Sequence, residues 1–247
     1  MHDAIPKTQH ASPAQTLVEF GYQFYSRGWM EGTGGNLSVR LKSDPLEILI
    51  TPSGMNKGYL RPDHFINVKD NVDPGLRPAG MTEKEIASSS AITFSSSSPA
   101  DVSGGPALRL KPSYETPIHQ AIYRAVPTAG AVFHVHPVYA VVLSEIYGHP
   151  SETRTFPVKW QEILKAMGFQ EGQDAEFPIV ANWQDVARVG DDITTYLKKT
   201  PKPVPGFILY NHGITVWGKD VEEARNHLEV MEYVCKLRYK HLTCKTS

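Results

Sequence analysis

Two histidines separated by one residue end an apolar run, Gly130-Ala131-Val132-Phe133-His134-Val135-His136. Read as a strand, the run places His134 and His136 on one face and Phe133 and Val135 on the other, because strand side chains alternate with a period of two. Two imidazoles on one face form a two-point grip for a metal ion. A catalytic zinc ordinarily takes three protein ligands and keeps one position open, so the grip needs at least one more ligand. Taken alone, His-x-His fits a hydrogen-bonded histidine at a strand end equally well, and the rest of the chain has to decide.

A third histidine of the right kind stands in Gly206-Phe207-Ile208-Leu209-Tyr210-Asn211-His212-Gly213-Ile214-Thr215-Val216-Trp217-Gly218. Here an apolar strand ends at a glycine turn and a second strand follows. By itself His212 reads as a turn residue; beside the first strand it could complete the ligand set. An acid comes from Lys111-Pro112-Ser113-Tyr114-Glu115-Thr116-Pro117. Ser113 is the expected cap of a helix through Ile118, Ala121 and Ile122, with Glu115 in the first turn, where partial positive charge favours a carboxylate. That helix leads within about twenty residues into the histidine strand. His119, one turn after Glu115, reads as a hydrogen-bonded packing residue. A short helix is expected over Val158–Gly168, where Glu162 and Lys165, three apart, share a face and read as an exposed ion pair.

Two turns have the composition of an anion cradle. Gly32-Thr33-Gly34-Gly35-Asn36-Leu37-Ser38-Val39-Arg40 runs from glycines into a strand, and the strand Glu47–Thr51 runs into Pro52-Ser53-Gly54. Glycines let a backbone approach an anion and aim successive amides at it. Neither turn is a P-loop or a dinucleotide fingerprint. Joined by a hairpin-like pair of strands, they can converge on one phosphate. Lys57 or Arg61 could add charge, although each alone reads as a solvated side chain.

The elements that must hold these residues are legible from caps and periodicity. Ser12-Pro13 opens a helix whose apolar face is Leu17, Phe20 and Phe24. Helices are expected over Val138–Tyr147 and Asp185–Lys199. Asp220-x-x-Glu223 is a capping box that starts an amphipathic helix with Ala224, Leu228, Met231 and Val234 or Cys235 as its buried stripe. His227 and His241 read as surface residues of that helix. Cys235 and Cys244 lie roughly 13 Å apart along it, too far for a disulfide, so both are expected as free thiols. The segment from about 77 to 109 is rich in serine and glycine and reads as a flexible insertion within a single domain spanning 1–247.

Composition narrows the class of function. The chain has 247 residues, 40% of them hydrophobic, with 25 basic and 26 acidic residues and a formal net charge of -1. That balance suggests neither nucleic acid nor an anionic membrane as partner. No run approaches the roughly 18 apolar residues of a membrane span, and the N-terminus lacks the apolar core of a signal peptide, so the expected location is the cytoplasm.

Taken in order, Gly34-Gly35-Asn36-Leu37-Ser38, Thr51-Pro52-Ser53-Gly54, Pro112-Ser113-Tyr114-Glu115-Thr116, His134-Val135-His136 and Asn211-His212-Gly213 resemble the motifs of the class II aldolase/adducin family. The resemblance covers nearly the whole chain apart from the serine-rich insertion. A narrower match to the dehydratases of the family is carried by Gln161–Gly168 and His212–Asp220. The resemblance implies a three-layer α/β/α fold with a central, mainly antiparallel sheet flanked by helices. It also implies a homotetramer with active sites near subunit interfaces and a small phosphorylated ketose as substrate. His134, His136 and His212 match the three ligands of one Zn2+ ion per subunit. Glu115 matches the acidic catalytic residue or fourth ligand of the aldolases, and Glu162 the acid/base glutamate of the dehydratases. Asn36, Ser53, Gly54 and Ser113 match the phosphate cradle. The same scaffold also serves sugar-phosphate aldolases, pentulose-phosphate epimerases and non-catalytic cytoskeletal members without the metal site. The presence of all three histidines and both glutamates argues against the last of these.

Overall fold

Ser12 caps the first helix through a capping box. Its hydroxyl accepts from Gln15 N, the Gln15 side chain accepts from Ser12 N, and Pro13 takes the first position of α1 (Pro13–Ser26). The structure, a computed structural model, describes residues 11–70 and 110–244. The serine-rich segment read as an insertion lies outside the described residues. After α1 come β1 (Asn36–Ser43), β2 (Leu46–Ile50), β3 (Ile66–Lys69), α2 (Thr116–Ala125), β4 (Ala131–Val135), α3 (Val138–Tyr147), β5 (Arg154–Val158), β6 (Ala175–Val180), α4 (Val186–Lys199), β7 (Gly206–Leu209), β8 (Gly213–Gly218) and α5 (Val221–Cys244).

Among the described residues the strands form one eight-stranded sheet in the order β3-β2-β1-β4-β8-β7-β6-β5. Every pairing is antiparallel except that of β6 with β7. β4 is central and buried at every position. Its alternation divides the core: Phe133 and Val135 join Leu17, Phe20, Phe24, Leu143 and Leu228 on one face, against α1, α3 and α5. Val132 joins Ile118, Ile122, Val189 and Ile193 on the other, against α2 and α4. Helices therefore cover both faces, and His134 points toward the α2 side.

Several local expectations change. The helix after Pro112 begins at Thr116 with Glu115 at the cap, because Ser113 is engaged in the preceding turn, where its carbonyl accepts from Thr116 N at 3.1 Å. Val158 closes a strand, and the helical stretch after it is a 3-10 run, Glu162–Met167, ended by the left-handed Gly168. β5 and β6 carry Pro157 and Pro178, each of which lacks the N–H that a strand ladder uses. They are tolerated because β5 is an edge strand and β6 pairs with β7 only at Ile179 and Val180. His227 is buried, not on the surface: its ring nitrogen Nδ1 meets Trp217 O at 2.6 Å. Cys235 is buried and Cys244 exposed, both as free thiols. Among the described residues no helix is long and apolar enough to cross a membrane.

Phe133 ties the sheet to α1 through Phe20 and Phe24, each with ring centroids 5.5 Å from its own. Phe133→Ala should therefore cost about 3–5 kcal/mol of stability, read as a lowered denaturant midpoint at unchanged slope.

Candidate active site

The end of β4 brings its two histidines to the start of β1, since Asn36 pairs with His134. The third arrives from the turn between β7 and β8. Asn211 takes a left-handed conformation at φ 54°, which asparagine tolerates, and its N–H donates to Ser144 Oγ at 2.8 Å. His212 follows, its N–H donating to Leu209 O at 3.1 Å. Glycines make the approach possible. A Cβ on Gly34 would stand 2.7 Å from His136 Nδ1, and one on Gly213 would stand 2.2 Å from Val135 O. The His136 ring thus occupies space that side chains at either position would fill.

The ring centroids of His134, His136 and His212 lie 4.6–4.8 Å apart, and one nitrogen from each falls within 4.8 Å of the others. Thr215 Oγ1 meets His134 Nδ1 at 3.0 Å, which leaves Nε2 facing the cluster, 2.9 Å from His136 Nε2. His212 Nδ1 is buried with no hydrogen-bond partner. A buried polar atom without a partner is costly, and imidazole nitrogens turned toward one another suit a shared cation. Burial, joined by the neighbouring histidines, holds His134 well below the usual imidazole range. Burial and His212 lower His136 to about 4. Neutral imidazoles are the form that binds a metal. The three histidines fit one divalent ion.

Glu115 stands beside them, 3.4 Å from His134 Nε2 and 3.6 Å from His212 Nδ1. Burial raises its carboxyl above the usual range, while His212, Asn36 and Lys57 oppose the shift. A cavity of about 500 Å³ opens in front of this group. One wall is made by three turns: Thr33–Asn36, Pro52–Gly54 and Ser113–Glu115. Ser53 N donates to Lys111 O, and an isolated bridge joins Pro52 to Pro112. Asn182, Trp183, Gln184 and Val186, after β6, also line it, and Tyr114 Oη donates to Gln184 O at 3.2 Å.

The expected cradle residues Asn36, Ser53, Gly54 and Ser113 thus line one cavity with His136, His212 and Glu115, and His134 sits buried beneath it. Lys57, read from sequence as solvated, is 2% exposed. Its ammonium donates to Thr33 O at 2.9 Å and Met55 O at 2.6 Å, which fastens the glycine turn to the Pro-Ser-Gly turn. Burial lowers it to about 8. No periodicity marks it, because it sits in a 3-10 turn; the only cue was its position three residues after Gly54. Arg61 lies outside the cavity and pairs with Asp63 at 3.1 Å.

Glu162 is the one expected site residue that the chain does not bring here. Its side chain is 78% exposed and paired with Lys165 at 2.7 Å. The end of its 3-10 run, Ala166–Gly168, lines a separate depression with Ala129 and Gly218. Those residues adjoin the Ala131–Gly218 end of the β4–β8 pair, the end away from His134 and His136.

Comparison with known proteins shows the family. The family described as Class II Aldolase and Adducin N-terminal domain matches residues 15–239. A methylthioribulose-1-phosphate dehydratase of Leptospira interrogans is 32% identical over 90% of this chain and 80% of its own. One of Geobacillus kaustophilus is 32% identical over 92% and 90%. A probable bifunctional methylthioribose-1-phosphate isomerase/methylthioribulose-1-phosphate dehydratase of Nocardia farcinica is also 32% identical over 96% of this chain, which spans only 37% of that longer protein. Among solved structures, an L-fuculose 1-phosphate aldolase superposes with a TM-score of 0.65 at 19% identity, covering 97% of this chain and 90% of that one. The enzyme of the same name from Thermus thermophilus gives 0.60 at 20% identity, covering 95% and 97%. At these identities the structural likeness speaks to the fold alone.

Thr215→Val should weaken divalent-ion binding about 10- to 100-fold through loss of the partner that orients His134, as measured by competition with a chelating dye. Gly34→Ala should weaken it too, by displacing His136. Unchanged affinity in both variants would remove a resident ion from the account.

Proposed function

Because the chain belongs to the class II aldolase and adducin family, we propose that it is a zinc-dependent dehydratase of methionine salvage. It removes water from 5-methylthioribulose 1-phosphate and yields 2,3-diketo-5-methylthiopentyl 1-phosphate. One observation carries the reading: three convergent histidines and a buried carboxylate share a cavity with small-residue turns fastened by a lysine. Zinc is the metal that three imidazoles with an open position suit best. His134, His136 and His212 would hold it, and when bound it would supply the positive charge that favours loss of a proton beside a carbonyl.

The protein groups then divide the work. Ser53, Gly54 and Ser113 form the wall that takes the phosphate, and Lys57 supplies its charge; Asn36 lines the same cavity with its amide engaged by His119 and Glu115. A carboxylate removes the C3 proton to give an enediolate. Expulsion of the C4 hydroxyl with a proton from an acid gives an enol, whose tautomer is the 2,3-diketone; the balance is loss of one water. Glu162 is the principal base and acid, and Glu115 holds the second place beside the histidines. Since Glu162 lies away from its own cavity and is exposed, it acts on the cavity of a neighbouring copy in a homotetramer.

An aldolase reading is favoured by one observation, that Glu115 is the carboxylate facing the histidines within the chain. It would cleave C3–C4 of the same substrate to dihydroxyacetone phosphate and a methylthio aldehyde. Incubation with 5-methylthioribulose 1-phosphate and mass detection separates the two: the expected product is lighter by one water, and release of the aldehyde would establish the rival.

Mixing inactive Glu162→Gln and His212→Asn chains, with subunits exchanged, should restore about one quarter of wild-type turnover, because one site in four draws its histidine and glutamate from intact chains. No recovery would place Glu162 in its own chain's site. Lys57→Met should raise KM for the phosphorylated substrate much more than it lowers kcat. In the unmodified protein the ammonium is present below about pH 8 and lost above it, so kcat/KM should fall as pH rises through that value. Lys57→Met should lack this limb.

A further inference from the structure

Behind Glu115, between α2 and β1, lies a row of polar side chains that do not reach solvent. Tyr123 Oη is 2.9 Å from Ser38 Oγ, which is 2.7 Å from His119 Nδ1. His119 Nε2 faces Asn36 Oδ1, and Asn36 Nδ2 donates to Glu115 Oε2. Ser38 and His119 are fully buried, and Asn36 and Tyr123 are 2% exposed. The far end is anchored: Arg40 stacks its guanidinium 4.9 Å from the Tyr123 ring centroid and donates to Tyr123 O at 2.7 Å.

The chemistry of each group gives the row one direction. A carboxylate only accepts hydrogen bonds, so Asn36 turns its N–H to Glu115 and its carbonyl to His119. A carbonyl also only accepts, so the hydrogen of His119 is on Nε2. Nδ1 of the neutral ring is then bare and accepts from Ser38, whose oxygen accepts from Tyr123. Burial lowers His119 to about 3 and raises Tyr123, so the ring stays neutral and the phenol keeps its proton. Four hydrogen bonds all donate toward Glu115, an arrangement in which each bond polarises the next. Apolar side chains could fill the same space at lower desolvation cost, so the row has a use beyond packing.

We propose that His119 and Asn36 are positioning residues for Glu115, and that the one-way row holds its carboxylate in a single orientation beside His134 and His212. The catalytic consequence rests on the dehydratase reading above; the arrangement itself does not. The first measurement uses the zinc-loaded full chain and reads the His119 tautomer from nitrogen-15 shifts. Hydrogen on Nε2 is expected, and hydrogen on Nδ1 would overturn the proposal whether or not the chain dehydrates anything. The second compares two amides. His119→Gln keeps a donor near the ε position and should retain kcat within about threefold, whereas His119→Asn reaches only the Ser38 side and should lose about tenfold or more in kcat at nearly constant KM. Equal losses in both, tracking equal falls in melting temperature, would show packing alone and sink the idea. Should either variant fail to fold, the tautomer of the unmodified chain decides.

Discussion

Three imidazoles and a carboxylate share a few ångströms here only because the backbone beside them carries no side chain. Gly34 and Gly213 border His136 so closely that a methyl group at either position would collide with the ring or with the strand beneath it. The requirement propagates outward. Gly34 needs the tight turn before β1, Gly213 needs the two-strand connection that delivers His212, and both need β4 in the middle of the sheet. Crowding like groups also has an electrostatic cost, which burial resolves at His134 and His136 by lowering both below the usual imidazole range.

The wall of small-residue turns obeys a second, weaker constraint. Turns rich in glycine and serine have little apolar surface to pack and gain little from ordering. Here a buried ammonium does what a core would otherwise do, since Lys57 donates to carbonyls from two of the turns. Its own desolvation is offset by those carbonyls and by the nearby Glu115. The same charge that fastens the turns makes the wall attractive to an anion.

What could be read from sequence followed from local rules. Helix caps and apolar periodicity gave α1, α3, α4 and α5 within a residue or two, since Ser12, Asp185 and Asp220 each accept a backbone hydrogen bond at the helix start. The histidine pair was legible because strand alternation is a strict rule. His212 was legible only through its neighbours Asn211 and Gly213, which mark a turn. The failures share one cause, partners remote in sequence. Lys57 and His227 looked like surface residues because the carbonyls of Thr33 and Trp217 that receive them lie on other elements, and the nearer Met55 carbonyl that Lys57 also meets carries no sequence signal. Asn36 was read as a phosphate contact, whereas in the fold its amide is engaged by His119 and Glu115, about eighty residues away. Glu162 carries a local motif, and the fold leaves its side chain exposed and paired with Lys165, away from the histidines.

The one parallel pairing in the sheet bears on how this cavity could diversify. Because β6 and β7 run the same way, both end at the edge where the histidines gather, and the segment from Asn182 to Gln184 emerges there to line the cavity. It leads into α4, on the sheet face opposite α5, and supplies no metal ligand. Residues could be inserted or exchanged there without altering the register of β4 against β8. The scaffold thus brings a segment that belongs to no histidine-bearing strand up to the same cavity as the histidines.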